Sequence, residues 1–192
     1  MRRFTLGFLV AIVISAIAVF SFLRFGMMDP RADMPVNAME RGMAMPSLDA
    51  SIARRAPELA NPVAPTDENL IAGMKVYQNN CALCHGDIHQ HHAKLAETLY
   101  PRPPQFVEDA ADMPPNQNFY IIQHGIRMSG MPGWKDALSP QEIWQVTGFL
   151  SHMDSLSPAV ANKWKVTAGG SASDPDIKPG DSDTGKKGGM KM

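Results

Sequence analysis

The sequence predicts an all-α domain of about 90 residues, because three segments between residues 66 and 157 carry helix caps and helical apolar spacing while no strand pattern of comparable quality competes. A third observation fixes what such a domain is built around. Both cysteines of the chain fall in Cys81-Ala82-Leu83-Cys84-His85, directly after the first of these segments.

The first segment runs from about Thr66 to Asn80, with Thr66 or Asp67 as N-cap and acidic residues in the first turn, where the helix dipole favours them. The second, Asn116 to Gly125, places Phe119 and Ile122, and with them Tyr120, on a buried side and stops at Gly125. The third opens with Ser139-Pro140-Gln141-Glu142, an N-cap Ser, Pro at N1 and Glu at N3. Ile143, Val146, Thr147 and Leu150 then recur at helical spacing. A helical domain of this size has a thin core and gains from a large apolar group at its centre.

Two thiols three positions apart with His next in line are the attachment pattern of haem c, in which the sulfurs add to the two vinyl groups and His85 lies beneath the iron. A thioredoxin-like couple is disfavoured because no βαβ pattern surrounds the pair. Zinc is disfavoured because adjacent Cys84 and His85 rarely converge on one tetrahedral ion and no second Cys pair completes a site. The expected cofactor is one covalently attached haem c.

The flanks differ in kind. Arg2 and Arg3 precede an uncharged run from Phe4 to Leu23. At about 1.5 Å per residue it spans a hydrocarbon core of roughly 30 Å. Ala16-Ile17-Ala18 resembles a cleavage site, but apolar residues continue past it, which favours an uncleaved anchor over residues 1–25. The positive end then stays in the cytoplasm, and the rest faces the periplasm or exterior of a bacterial inner membrane. Residues 26–65, rich in Pro and Met, read as a linker that gives the domain reach, with a short helix from Leu48 to Arg55. Residues 158–192, rich in Gly, Ser, Asp and Lys, read as a disordered tail.

Residues 66–157 hold five basic against ten acidic residues, although the whole chain has a net charge of −1. An acidic domain excludes a nucleic-acid-binding surface. Met27, Met28, Met34, Met39, Met43 and Met45 crowd the linker, and His89, His91 and His92 follow the Cys motif. Such soft and imidazole ligands suit copper, but packing or composition for the methionines and a solvated loop for the histidines are the preferred readings.

From about Asn69 to Asp154 the chain resembles class I cytochrome c, on the spacing Gly73, Tyr77, Cys81, on the Cys-x-x-Cys-His motif and on Met131-Pro132-Gly133-Trp134. The resemblance implies that Gly73 and Tyr77 sit at the crossing of the first and last helices, with Tyr77 against Val146 and Phe149. It also implies that Met131 supplies a thioether sulfur as second axial ligand beside His85, making these two the iron ligands. Met128, His124, Met113 and Met153 are rival ligands. The ring N–H of His85 should donate to a carbonyl in Pro101-Arg102-Pro103-Pro104, with Pro104 taken as part of the site. Trp134 either bonds a propionate or packs at the pocket mouth, and Arg102 and Arg127 either neutralise propionates or stay solvated. The implied function is single-electron transfer between respiratory partners, a dehydrogenase or an oxidase, by a carrier that is not itself an enzyme. The alternatives are an accessory subunit fixed in such a complex, or a haem and copper-handling protein.

Overall fold

In the computed structural model, which describes residues 2–27, 30–32, 34 and 38–167, secondary structure is helical throughout. Helix α1 (Arg2–Arg24) is long and apolar enough to cross a membrane, and its side chains are not buried against the protein. Thr66 starts the domain proper. Its hydroxyl accepts the amide of Asn69 at 3.3 Å and so caps α3 (Asp67–Asn80). The chain passes from α3 through Cys81 into a single turn, α4 (Ala82–His85). A 3-10 turn at Lys94–Thr98 follows, then α5 (Pro115–His124) and α6 (Pro140–Ser151).

The core forms where α3 crosses α6. Met74, Tyr77, Val146 and Phe149 are wholly buried there. Gly73 faces the α6 backbone so closely that a Cβ would overlap the carbonyl of Gln145. Only hydrogen fits at that position. Tyr77 and Phe149 meet with ring centroids 5.7 Å apart, and α5 joins by stacking Phe119 on Trp144 at 4.0 Å. Ile143, Val146, Thr147 and Leu150, the expected inner face of α6, are all buried. On α5, Phe119 and Ile122 are buried and Tyr120 is half-buried.

Two expectations about the flanks need correction. The segment 158–192 is not a tail throughout, because Pro158–Thr167 forms a helix, α7. Val160 is fully buried and Trp164 packs edge-on against Phe149 at 5.2 Å, so α7 extends the core. Residues 168–192 lie outside the described residues. The linker 26–65 likewise contains α2 (Ala38–Arg55), which begins ten residues before the expected Leu48. Ile52 and Ala56 are buried against the domain. The physical reason is the same in both places: a short apolar stripe, diluted by charges and glycine in sequence, finds a complementary surface in the fold.

Candidate haem site

Helix α3 ends where the motif begins, since the amide of Cys81 donates to Tyr77 O at 2.8 Å and the amides of Cys84 and His85 donate back to Cys81 O. This one turn places both sulfurs and the imidazole on a common wall. Gly86 ends it at φ +75°, where a Cβ would meet the carbonyl of His91 at 2.7 Å. Tyr77 secures the turn from below, its hydroxyl donating to His85 O at 3.2 Å and Gly86 O at 2.7 Å.

His85 is buried, and its Nδ1–H donates to Pro104 O at 2.8 Å, which leaves Nε2 as the free nitrogen. Burial lowers the imidazole's affinity for a proton more than the Pro104 bond raises it, so the ring is held neutral, the form that binds a metal. Phe106 stacks on His85 at 4.7 Å. Gln105 fixes the proline-rich segment, donating through Nε2 to Cys84 O and Pro103 O while its Oε1 accepts the amide of Ala93. Neither Gln105 nor Phe106 stood out in sequence. The only signal was their position just after Pro103-Pro104.

Across from this wall, α5 and the following loop are stapled together. The amides of Trp134 and Lys135 donate to Ile122 O and Gln123 O, and the amide of Ile126 donates to Met131 O at 3.1 Å. Gly125, at φ +68°, lets the chain pass within 2.6 Å of where a Cβ would stand against Met131 O and Gly133 N. The result presents Met131 to a cavity of about 380 Å³ that Cys81, Cys84, His85, Pro104 and Trp134 also line.

The rival ligands separate by position. Met128 points to solvent at 93 % exposure, and Met153 is packed in the core. His124 is exposed and does not line the cavity, whereas Met113 does. Arg102 borders the cavity and Arg127 does not.

The three imidazoles after the motif aim at separate partners. His89 reaches Lys165 O, His91 reaches Ile88 O, and His92 lies 3.7 Å from Glu108. Among the described residues no three His, Cys, Asp or Glu side chains converge on one point. Met28 lies outside the described residues, as does the side chain of Met39.

The donor set fits a covalently attached haem. Two thiols and an oriented, neutral imidazole occupy one wall, and most of the remaining lining is apolar, Ile121, Ile122, Met131 and Trp134 among it. Burial, and to a smaller degree Cys84, pushes the Cys81 thiol up to about 12, so it stays protonated.

Residues 68–150 match the family model for "Cytochrome C oxidase, cbb3-type, subunit III". This segment is a class I c-type cytochrome domain. Its cofactor is haem c, and its chemistry is electron transfer. A chain of the reducing HAO-like protein complex of Kuenenia stuttgartiensis is similar to the cytochrome at 22 % identity, covering 60 % of each chain, with a TM-score of 0.40. The cytochrome thus spans about 60 % of that relative's length. A search of curated proteins returns no match.

Proposed function

We propose that this cytochrome is anchored in the bacterial inner membrane by α1 and passes single electrons between respiratory partners on the periplasmic side, its iron held between His85 and Met131. When bound, the haem supplies a one-electron ferric/ferrous couple. Cys81 and Cys84 tether the macrocycle, and the His85–Pro104 bond fixes the imidazole plane and raises its basicity. The neutral Met131 thioether favours the ferrous state, which suits a carrier fed at the quinol level.

The observation that carries this reading is the shared cavity of His85 and Met131, with Met128 turned to solvent. The test is absorption spectroscopy on the membrane fraction from a host competent for haem attachment. Reduced α and β bands of a c-type haem and resistance of the ferrous form to carbon monoxide are expected. Rapid, complete carbon monoxide binding by the native protein would refute Met131 ligation and indicate a ligand-binding or peroxidatic haem. Met131→Ala should acquire that binding while Met113→Ala should not.

A second reading, a fixed subunit of an oxidase or dehydrogenase complex, is favoured by the oxidase-subunit description of the matching family. Co-purification of stoichiometric partners after mild detergent extraction distinguishes it from a free carrier.

A further inference from the structure

Helix α2 belongs to the segment that the sequence assigns to a tether, yet Met45, Leu48, Asp49 and Ile52 line the same cavity as the haem-attachment motif. Their spacing of i, i+3, i+4 and i+7 puts them on one helix face. That face is the one turned to the domain: Ile52 is 4 % exposed, whereas Met43 is 69 % exposed.

Both ends of α2 are fastened. At the N-terminal end the Tyr100 hydroxyl hydrogen-bonds Glu40, joining α2 to the loop that carries cavity residues Leu99 and Pro101. Past the C-terminal end the Asn116 amide donates to Pro57 O at 2.9 Å, joining the segment to α5. The helix therefore crosses from the proline-rich wall beside His85 to the helix that leads to the Met131 loop.

Packing against protein alone leaves the stripe incomplete. Met45 remains 42 % exposed and Leu48 half-buried although both border the cavity. A macrocycle held by Cys81 and Cys84 would cover that remaining apolar surface. We infer that α2 is a wall of the haem site, with Met45, Leu48 and Ile52 contacting the cofactor. This inference rests on the haem c assignment.

One consequence concerns reach. With α2 fixed to the domain, only residues 25–37 separate the membrane span from α2. Thirteen residues extend at most about 45 Å, which bounds how far α2 can stand from the bilayer.

The test uses the full-length, haem-loaded protein in detergent. Methyl NMR of the unsubstituted protein, recorded oxidised and reduced, should show the Met45 and Ile52 methyl signals moving strongly with redox state, since paramagnetic ferric iron perturbs nearby nuclei. The Met43 methyl should stay in place, and Ile52→Val identifies the Ile52 signal. Leu48→Asp should lower the midpoint potential, because a carboxylate beside the haem favours the ferric form, and Met43→Asp on the outer face should not.

Unmoved Met45 and Ile52 methyl signals would overturn the inference, as would equal potentials for Leu48→Asp and Met43→Asp. Should Leu48→Asp fail to accumulate, the NMR result decides. A c-type spectrum without these effects removes only the role of α2, whereas absence of that spectrum removes the haem assignment itself.

Discussion

Nδ1 of His85 lies 2.8 Å from the carbonyl oxygen of Pro104, and the segment bearing that carbonyl is held by the neighbouring side chain of Gln105. Gln105 is buried and satisfies three backbone groups, Cys84 O, Pro103 O and the Ala93 amide. Gln105→Leu keeps the volume and leaves all three unpaired. The expected loss is about 2 kcal/mol of unfolding free energy, measured by denaturant titration of the haem-loaded protein. Loosening the bond to Pro104 also makes His85 a weaker base, so redox titration should show a raised midpoint potential. A destabilised variant with an unchanged potential would mean that Gln105 supports the loop without orienting the histidine.

The crossing of α3 and α6 makes a sharper prediction. A methyl at Gly73 meets the Gln145 carbonyl, which is backbone and cannot rotate away. Gly73→Ala should therefore cost about 3 kcal/mol, despite alanine's better helix propensity. Thermal denaturation of the purified holoprotein checks this. A neutral or stabilising outcome would show that the two helices can separate without penalty.

Helix α7 is part of the folded unit, on the evidence of Val160 and Trp164. Trp164 rests edge-on against Phe149, and its buried Nε1 lacks a hydrogen-bond partner, so its contribution comes from packing. Trp164→Phe should cost little, because it deletes an unsatisfied donor along with some volume. Trp164→Ala should cost about 3–5 kcal/mol. Chain termination after Ser157 should destabilise at least as much as Trp164→Ala, and all three are read by the same denaturant titration.

How much of this was legible before folding depends on where each signal resides. Helices α3 and α6 were readable because Thr66 and Ser139 cap them locally and their apolar residues recur at helical spacing. The attachment motif was readable because its chemistry is contiguous in sequence. Helix α7 carried the same Ser-Pro start as α6, with Ser157 Oγ accepting the Val160 amide, but glycine and charges further along masked it. Helix α2 was harder, since Pro46 within it reads as a helix breaker and its stripe acquires meaning only against a cavity built from distant segments. Gln105 and Phe106 were invisible for a related reason. Their partners are backbone groups and a ring that only the fold brings near.

The cap of α6 supplies a pH prediction. Ser139 N and Oγ both lie 2.7 Å from Glu142 Oε2, and the Glu142 amide returns a bond to Ser139 Oγ at 3.3 Å. The Ser139 hydroxyl, and then its backbone amide, hold the Glu142 carboxyl below its usual range. A depressed folded-state value means that ionised Glu142 stabilises the fold above its unfolded value of 4.5, and that this stabilisation fades as pH falls through the lower folded value. Because the pair is largely exposed, the size is that of a solvated helix-terminus charge, about 0.5–1 kcal/mol. Glu142→Gln should thus be less stable than the parent by that amount at pH 7, and the gap should narrow at pH 3, as the pH falls toward the lowered folded-state value of the parent's Glu142. Thermal melts at the two pH values measure the gap. An equal gap at both would assign the cap's contribution to side-chain shape and neutral hydrogen bonding instead of charge.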